Sequence, residues 1–104
     1  MERLGFVMRL RPGAEAEYRR RHAEVWPEML EELKAAGARN YSIFLRGDDL
    51  FGYLEVEELA RFQRDMATSA VNARWQAEMA HLIDPLIDPA TGFHQRLKEV
   101  FHLE

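Results

Sequence analysis

Arg39-Asn40-Tyr41-Ser42-Ile43-Phe44-Leu45-Arg46-Gly47-Asp48-Asp49-Leu50-Phe51-Gly52-Tyr53-Leu54-Glu55-Val56-Glu57 is the stretch that decides how this chain folds. Residues Arg39 to Leu45 read as a strand, with Tyr41, Ile43 and Leu45 on one face. Gly47-Asp48-Asp49 is a turn, and Leu50 to Glu57 reads as the returning strand, so the stretch predicts a β-hairpin. Both strands carry bulky apolar groups on both faces: Phe44 opposes Tyr41 and Ile43, and Leu54 opposes Phe51 and Tyr53. Such a hairpin must be covered on two sides.

On the N-terminal side, Leu4, Phe6, Met8 and Leu10 alternate with Gly5, Val7 and Arg9, the period of a strand, and Arg11-Pro12-Gly13 ends it. A helix is predicted from about Ala14 to about Val25. The residue before a proline is driven out of the α region, so this helix breaks at Trp26 and a second segment starts with Pro27 in its first turn. There Leu30 and Leu33 are expected to face inward, and Gly37 suits the left-handed residue that ends a helix. On the C-terminal side, Leu59, Phe62 and Met66 mark a short helix. Ser69 is a plausible N-cap for another, with the stripe Val71, Trp75, Met79 and Leu82. Asp84-Pro85 and Asp88-Pro89 mark a turn-rich loop, and Leu97 to Leu103 is expected to be the last strand.

The order is βαββαβ, which points to an α+β class chain with a ferredoxin-like sandwich, residues 1–104 forming a single domain. Helices cover one face of such a sheet. A symmetric homodimer pairing sheet to sheet, a dimeric α+β barrel, would cover the other.

At 104 residues with 47% apolar side chains the chain is globular, and a net charge of −4 gives no reason to expect nucleic acid. Arg19-Arg20-Arg21 fan around the helix axis and offset nearby glutamates rather than form a basic stripe. There is no cysteine, which excludes disulfides and thiolate chemistry. No apolar run approaches the roughly 20 residues that span a membrane, and the N-terminus lacks the apolar core of an export signal, so a cytoplasmic protein is expected.

The chemistry-bearing stretch is Glu17-Tyr18-Arg19-Arg20-Arg21-His22-Ala23-Glu24-Val25-Trp26-Pro27-Glu28. Tyr18 and His22, at i and i+4, share one helix face and can look into one cavity, with Trp26 expected to swing in beside them. A histidine, a hydroxyl and an aromatic face are what a small polyol site needs. Spacing alone favours an exposed helical histidine; the neighbouring rings make the functional reading equally strong. Tyr41 in the hairpin reads first as an inward aromatic whose phenol needs a partner. Trp75 lies on an apolar stripe and reads first as core. Gln76, one step off it, is an amide able to fork to two hydroxyls. The four histidines show no metal-ligand pairing, no glycine-rich phosphate loop is present, and no carboxylate is set apart by an apolar context, Glu99 beside Val100 in the last strand being the one to watch.

Along essentially its whole length the chain resembles the L-rhamnose mutarotases. The resemblance rests on Phe6-Val7-Met8, on Glu17-Tyr18-Arg19-Arg20-Arg21-His22 with Trp26-Pro27-Glu28, and on Gly37-Ala38-Arg39-Asn40-Tyr41. Arg74-Trp75 and Glu99-Val100-Phe101-His102-Leu103 complete it. It implies a homodimer that interconverts the α and β anomers of a monosaccharide, L-rhamnose or a close deoxy relative, with no cofactor and no metal. It further implies His22 as proton donor, and Tyr18, Tyr41 and Trp75 at the sugar. Where the family usually shows a second tryptophan this chain has Gln76, and the loop after Asp84 reads Asp88-Pro89-Ala90-Thr91. Both departures bear on the sugar more than on the reaction. The alternatives are an oxidative or haem-binding α+β barrel with His22 as axial ligand, and a sugar-binding module without catalysis.

Overall fold

Strand β1 (Glu2–Leu10) is the centre of the sheet. Its even-numbered side chains from Leu4 to Leu10 are buried, and Arg3, Gly5, Val7 and Arg9 look the other way. The computed structural model describes residues 1–104. After β1 come α1 (Glu15–Ala23), α2 (Pro27–Ala35), β2 (Ala38–Arg46), β3 (Asp49–Val56), α3 (Leu59–Thr68) and α4 (Ala70–Met79). Four two-residue strands follow: β4 (Ile83–Asp84), β5 (Ile87–Asp88), β6 (Phe93–His94) and β7 (Arg96–Leu97). The main sheet is antiparallel in the order β2-β3-β1-β4, with β7 also on β1, and all four helices lie on one of its faces. This is the ferredoxin-like arrangement that the element order predicts.

The hairpin turns over Gly47, whose φ of 61° suits a glycine, and pairs Phe44 with Phe51 and Leu45 with Leu50. β2 contains a bulge between Arg39 and Ser42, where Asn40 takes φ 50°. The extra residue changes the side-chain parity of the strand. Ala38 at one end, and Ile43 and Leu45 at the other, therefore all face the helices, with Tyr41 brought to the same side.

At the centre of the sheet Phe6 pairs with Gly52. A Cβ on residue 52 would come within 2.2–2.6 Å of the tip of the Phe6 ring, so the ring lies across a site only glycine leaves open. Seventeen buried side chains form one core between sheet and helices, with Leu10, Leu50, Val56 and Met79 the most enclosed.

The helices begin and end where local chemistry places them. Trp26 leaves the α region (φ −55°, ψ 133°) and Pro27 opens α2. Gly37 closes that segment with φ 94°, and the Ser69 hydroxyl accepts the Asn72 N–H at 3.0 Å to cap α4. In α2 Leu33 packs on the core as expected, and Leu30 lines the cavity instead of the packed core. Met29 is buried and Leu30 is 45% exposed, because the inward row runs Met29, Leu33, Ala36 and leaves Leu30 beside it.

The last strand also differs from expectation. Only Arg96–Leu97 pairs with β1, opposite Phe6 and Gly5, and residues 98–104 have no regular structure. The fourth strand is instead split. Ile83–Asp84 pairs with Leu10 and Arg9, the chain leaves the sheet from Pro85 to Gln95, and Arg96 resumes the ladder. Continuing that register would set Glu99 opposite Arg3, and the two form a two-pronged ion pair at 2.9 and 3.0 Å. Beyond it the chain leaves the ladder, and Val100, Phe101 and Leu103 stand 79–89% exposed.

Candidate active site

The helix layer and the sheet enclose a cavity of about 800 Å³. Its polar and aromatic lining includes Tyr18, His22, Tyr41, Trp75 and Gln76, so all five residues singled out in the sequence meet there.

α1 supplies the first wall. The Tyr18 and His22 rings lie 4.1 Å apart with planes tilted by 30°, the contact that i, i+4 spacing on a helix produces. His22 Nδ1 is 3.0 Å from the Tyr18 carbonyl oxygen. A carbonyl can only accept, so Nδ1 carries the proton and the lone pair of the neutral ring sits on Nε2. No buried side-chain nitrogen or oxygen lacks a partner in this protein, and Nε2 has no protein partner; it therefore reaches open space. Burial lowers the His22 pKa below its ordinary 6.5, and the hydrogen bond to Tyr18 opposes that only in part. The imidazole is neutral at pH 7 and available as a base.

Tyr18 is buried, which pushes its phenol up to about 12, so it stays protonated. Tyr41 is also raised above the usual 10, by burial first and by the proximity of Tyr18 second. It still exposes 39% of its surface, as befits a ring at the rim of the cavity. Its ring and that of Phe6 form a T-shaped pair with centroids 6.0 Å apart.

α4 supplies the second wall. Trp75 is only 7% exposed, so the core reading of the sequence is right as far as burial goes, yet one side of its indole lines the cavity. It stands edge-on to His22 at 5.5 Å. Trp26 does not take the place expected for it beside His22. It packs edge-on against Trp75 at 5.1 Å with the Arg74 guanidinium over it at 5.9 Å, because its extended backbone turns the indole towards α4. Gln76 donates through Nε2 to Asn72 Oδ1 at 3.2 Å, which leaves its amide oxygen as acceptor.

The two helices are tied together outside the cavity. Arg21 donates to Glu17 in its own helix at 2.8 Å and to Glu78 in α4 at 2.7 Å, while Arg20 also pairs with Glu17. These contacts hold the Glu17 carboxyl down at about 2, with Arg20 the larger cause. Arg19 pairs with Glu15 at 3.6 Å, so the three arginines do fan as expected. Glu99 lies away from the cavity, against Arg3.

Sequence reasoning missed His94. It lines the same cavity, on the sheet side, stacked on Phe6 at 4.9 Å and 14°. Spacing gave no hint, since β6 reaches the cavity only by the excursion from the fourth strand; the paired Asp-Pro turns and Gly92 were the available signal that the chain doubles back there.

A family model for L-rhamnose mutarotase matches residues 3–103. The chain is 45% identical to the L-rhamnose mutarotase of Listeria monocytogenes over 107 residues, covering 99% of each. It is 41% identical to that of Oceanobacillus iheyensis over 106 residues, covering all of both. The crystal structure of an L-rhamnose mutarotase from Formosa agariphila superposes with a TM-score of 0.83 at 32% identity, again over the whole of both chains.

Proposed function

The chain belongs to the L-rhamnose mutarotase family, and from that premise we propose that its cavity opens and recloses the pyranose ring of L-rhamnose with His22 as the principal proton-transfer group. The observation that carries this is the free Nε2 of a neutral His22 on the wall of an aromatic-lined cavity. The enzyme interconverts the α and β anomers. Opening removes the anomeric hydroxyl proton, breaks the bond from C1 to the ring oxygen and protonates that oxygen. The aldehyde then presents its other face and the ring closes. The reaction as written draws on no cofactor and no metal.

Nε2 of His22 takes the proton from the anomeric hydroxyl on opening and returns it on closure, so one group is base in one direction and donor in the other. Tyr18 and Tyr41, both held protonated, donate hydrogen bonds to sugar hydroxyls. Trp75 offers an apolar face to the sugar's C–H groups and deoxy methyl. Gln76 accepts from a hydroxyl through its free oxygen. Holding the open aldehyde in this cavity keeps it close to reclosure. The family match favours this reading over the haem-binding and sugar-sensing alternatives.

Saturation-transfer NMR of anomer exchange tests it. L-rhamnose exchange is expected to accelerate with enzyme; rates equal to buffer for L-rhamnose, L-fucose and related aldoses would refute it.

We further propose that the enzyme is a homodimer joined through the helix-free sheet face. That face carries Phe44 (64% exposed), Phe51 and Leu97, and the tail adds Val100, Phe101 and Leu103. A contiguous apolar surface of this kind marks an interface. Sedimentation velocity should give twice the 12.2 kDa chain mass, and Phe44→Glu should halve it. A wild-type protein sedimenting as a 12.2 kDa species would end this proposal. No helix is long and apolar enough to cross a membrane.

A further inference from the structure

Ring opening moves two protons at two oxygens, and His22 accounts for one of them. We propose that His94 is the second proton-transfer group, standing on the sheet wall of the cavity and serving the ring oxygen while His22, on the helix wall, serves the anomeric hydroxyl. This rests on the mutarotase reading above.

The two histidines are presented alike. His94 Nδ1 is 2.9 Å from the Pro85 carbonyl oxygen, as His22 Nδ1 is 3.0 Å from that of Tyr18. In both, the carbonyl fixes the proton on Nδ1 and leaves Nε2 as the ring nitrogen free to meet a ligand. Neither Nε2 has a protein partner. Both residues are partly buried and neither contributes a buried unpartnered atom, so both Nε2 atoms reach open space. Both line the one cavity, from opposite layers: His22 on α1, His94 stacked on Phe6 of β1.

The excursion that carries His94 is itself held in place. Asp84 Oδ1 accepts the Leu86 N–H at 3.0 Å, Asp88 Oδ1 accepts the Ala90 N–H at 2.9 Å, and Thr91 Oγ1 accepts the Phe93 N–H at 3.2 Å. Ile87 pairs with His94, the Gln95 N–H donates to the Leu86 carbonyl, and the Val7 N–H donates to the Gln95 carbonyl at 3.1 Å. His94 is thus fixed between two anchored neighbours rather than carried on a free loop tip. A catalytic group needs that definition.

The proton balance closes. With His22 neutral and His94 protonated, His22 Nε2 takes the O1 proton and the O1 electron pair forms the carbonyl. The bond between C1 and the ring oxygen breaks, its pair goes to that oxygen, and His94 supplies the proton there. His94 is now neutral and His22 charged. After rotation of the aldehyde the ring oxygen attacks the other face, its proton returns to His94, and His22 returns its own to O1. The pair resets without exchanging a net proton with solvent. Tyr18, a competing donor in the same cavity, is a far weaker acid than an imidazolium, since burial raises its phenol to about 12.

A purely structural His94, stacked on Phe6 and bonded to Pro85, would matter for stability alone. His94→Phe keeps the stacked ring without its nitrogens, and His94→Gln keeps a hydrogen-bonding side chain that cannot shuttle protons. The exchange rate at saturating L-rhamnose is expected to fall about 10²-fold in both. Sugar affinity, measured by NMR titration, should stay within about threefold. Added imidazole should restore part of the rate to His94→Ala, which a structural role would not allow. Wild-type turnover in folded His94→Phe or His94→Gln would overturn the proposal, as would a loss arising entirely in affinity. If His22→Ala is inactive while His94→Phe is not, only the role of His94 fails. If the wild type does not accelerate exchange, the mutarotase reading fails and this proposal goes with it.

Discussion

His22→Ala is expected to remove catalysed anomer exchange while leaving a folded protein. Loss of one positioned acid/base costs about 10²–10⁴-fold, which brings the rate close to the spontaneous one. The fold should survive because the imidazole is only partly buried and its hydrogen bond is to its own helix. The pH dependence follows from the same residue. Burial lowers the folded pKa below 6.5, so the free base persists into mildly acid solution and the acid limb of the rate lies below pH 6.5. Stability moves in step: as pH falls through 6.5 the unfolded histidine takes up a proton before the folded one does. Stability contributed by neutral His22 is therefore complete above 6.5 and declines as pH falls towards the folded pKa. Saturation-transfer NMR from pH 5 to 8, with denaturant unfolding at each pH, measures both. A folded variant exchanging at the wild-type rate would remove His22 from the mechanism.

Gly52→Ala is expected to destabilise the protein and slow it together. The new methyl would come within 2.2–2.6 Å of the tip of the Phe6 ring, which cannot retreat freely because Tyr41 and His94 both pack against it. Overpacking of this kind costs about 1–3 kcal/mol, or a drop of about 4–8 °C in Tm per kcal/mol for a domain this size. Whatever remains folded carries a displaced Phe6, and with it displaced cavity walls. Phe6→Leu in the same chain should return much of the stability, a coupling that urea unfolding of the four members of the cycle would quantify. Equal stability of Gly52→Ala and wild type would mean that Phe6 does not lie across residue 52 in solution.

Much of this molecule is legible in its sequence because the deciding signals are local. The hairpin follows from two apolar runs around Gly47-Asp48, the helix break from Trp26-Pro27, the α4 start from Ser69, and the shared face of Tyr18 and His22 from helical spacing. The parts that escaped depend on contacts distant in sequence. The apolar pattern of Leu97 to Leu103 reads as a strand, yet only Arg96 and Leu97 pair with β1, and the tail beyond the Arg3–Glu99 ion pair leaves the ladder. The bulge at Asn40 reconciles Ala38 and Ile43 on one face, a parity that alternation alone cannot supply. Trp26 was placed by its neighbours in the chain, when its position is set by Trp75 on another helix. His94 went unseen because its place depends on where the fourth strand leaves the sheet and where it returns.

That interruption divides the cavity into two unequal partners in variation. Tyr18 and His22 are locked to one another by helical pitch and Trp75 is packed against them from α4, so an insertion or deletion between the two residues of α1 cannot be absorbed. The segment from Pro85 to Gln95 is stapled at both ends instead, by the Arg11 N–H on the Leu82 carbonyl and the Val7 N–H on the Gln95 carbonyl. A loop with fixed ends grows cheaply, each doubling of length costing only about 0.6 kcal/mol. The turn from Pro89 to Gly92 can therefore change in length while the sheet stays registered and His22 on α1 stays put. The fold behaves as a fixed frame with an adjustable faceplate, on which His94 is the one position that the proposed proton transfer holds constant.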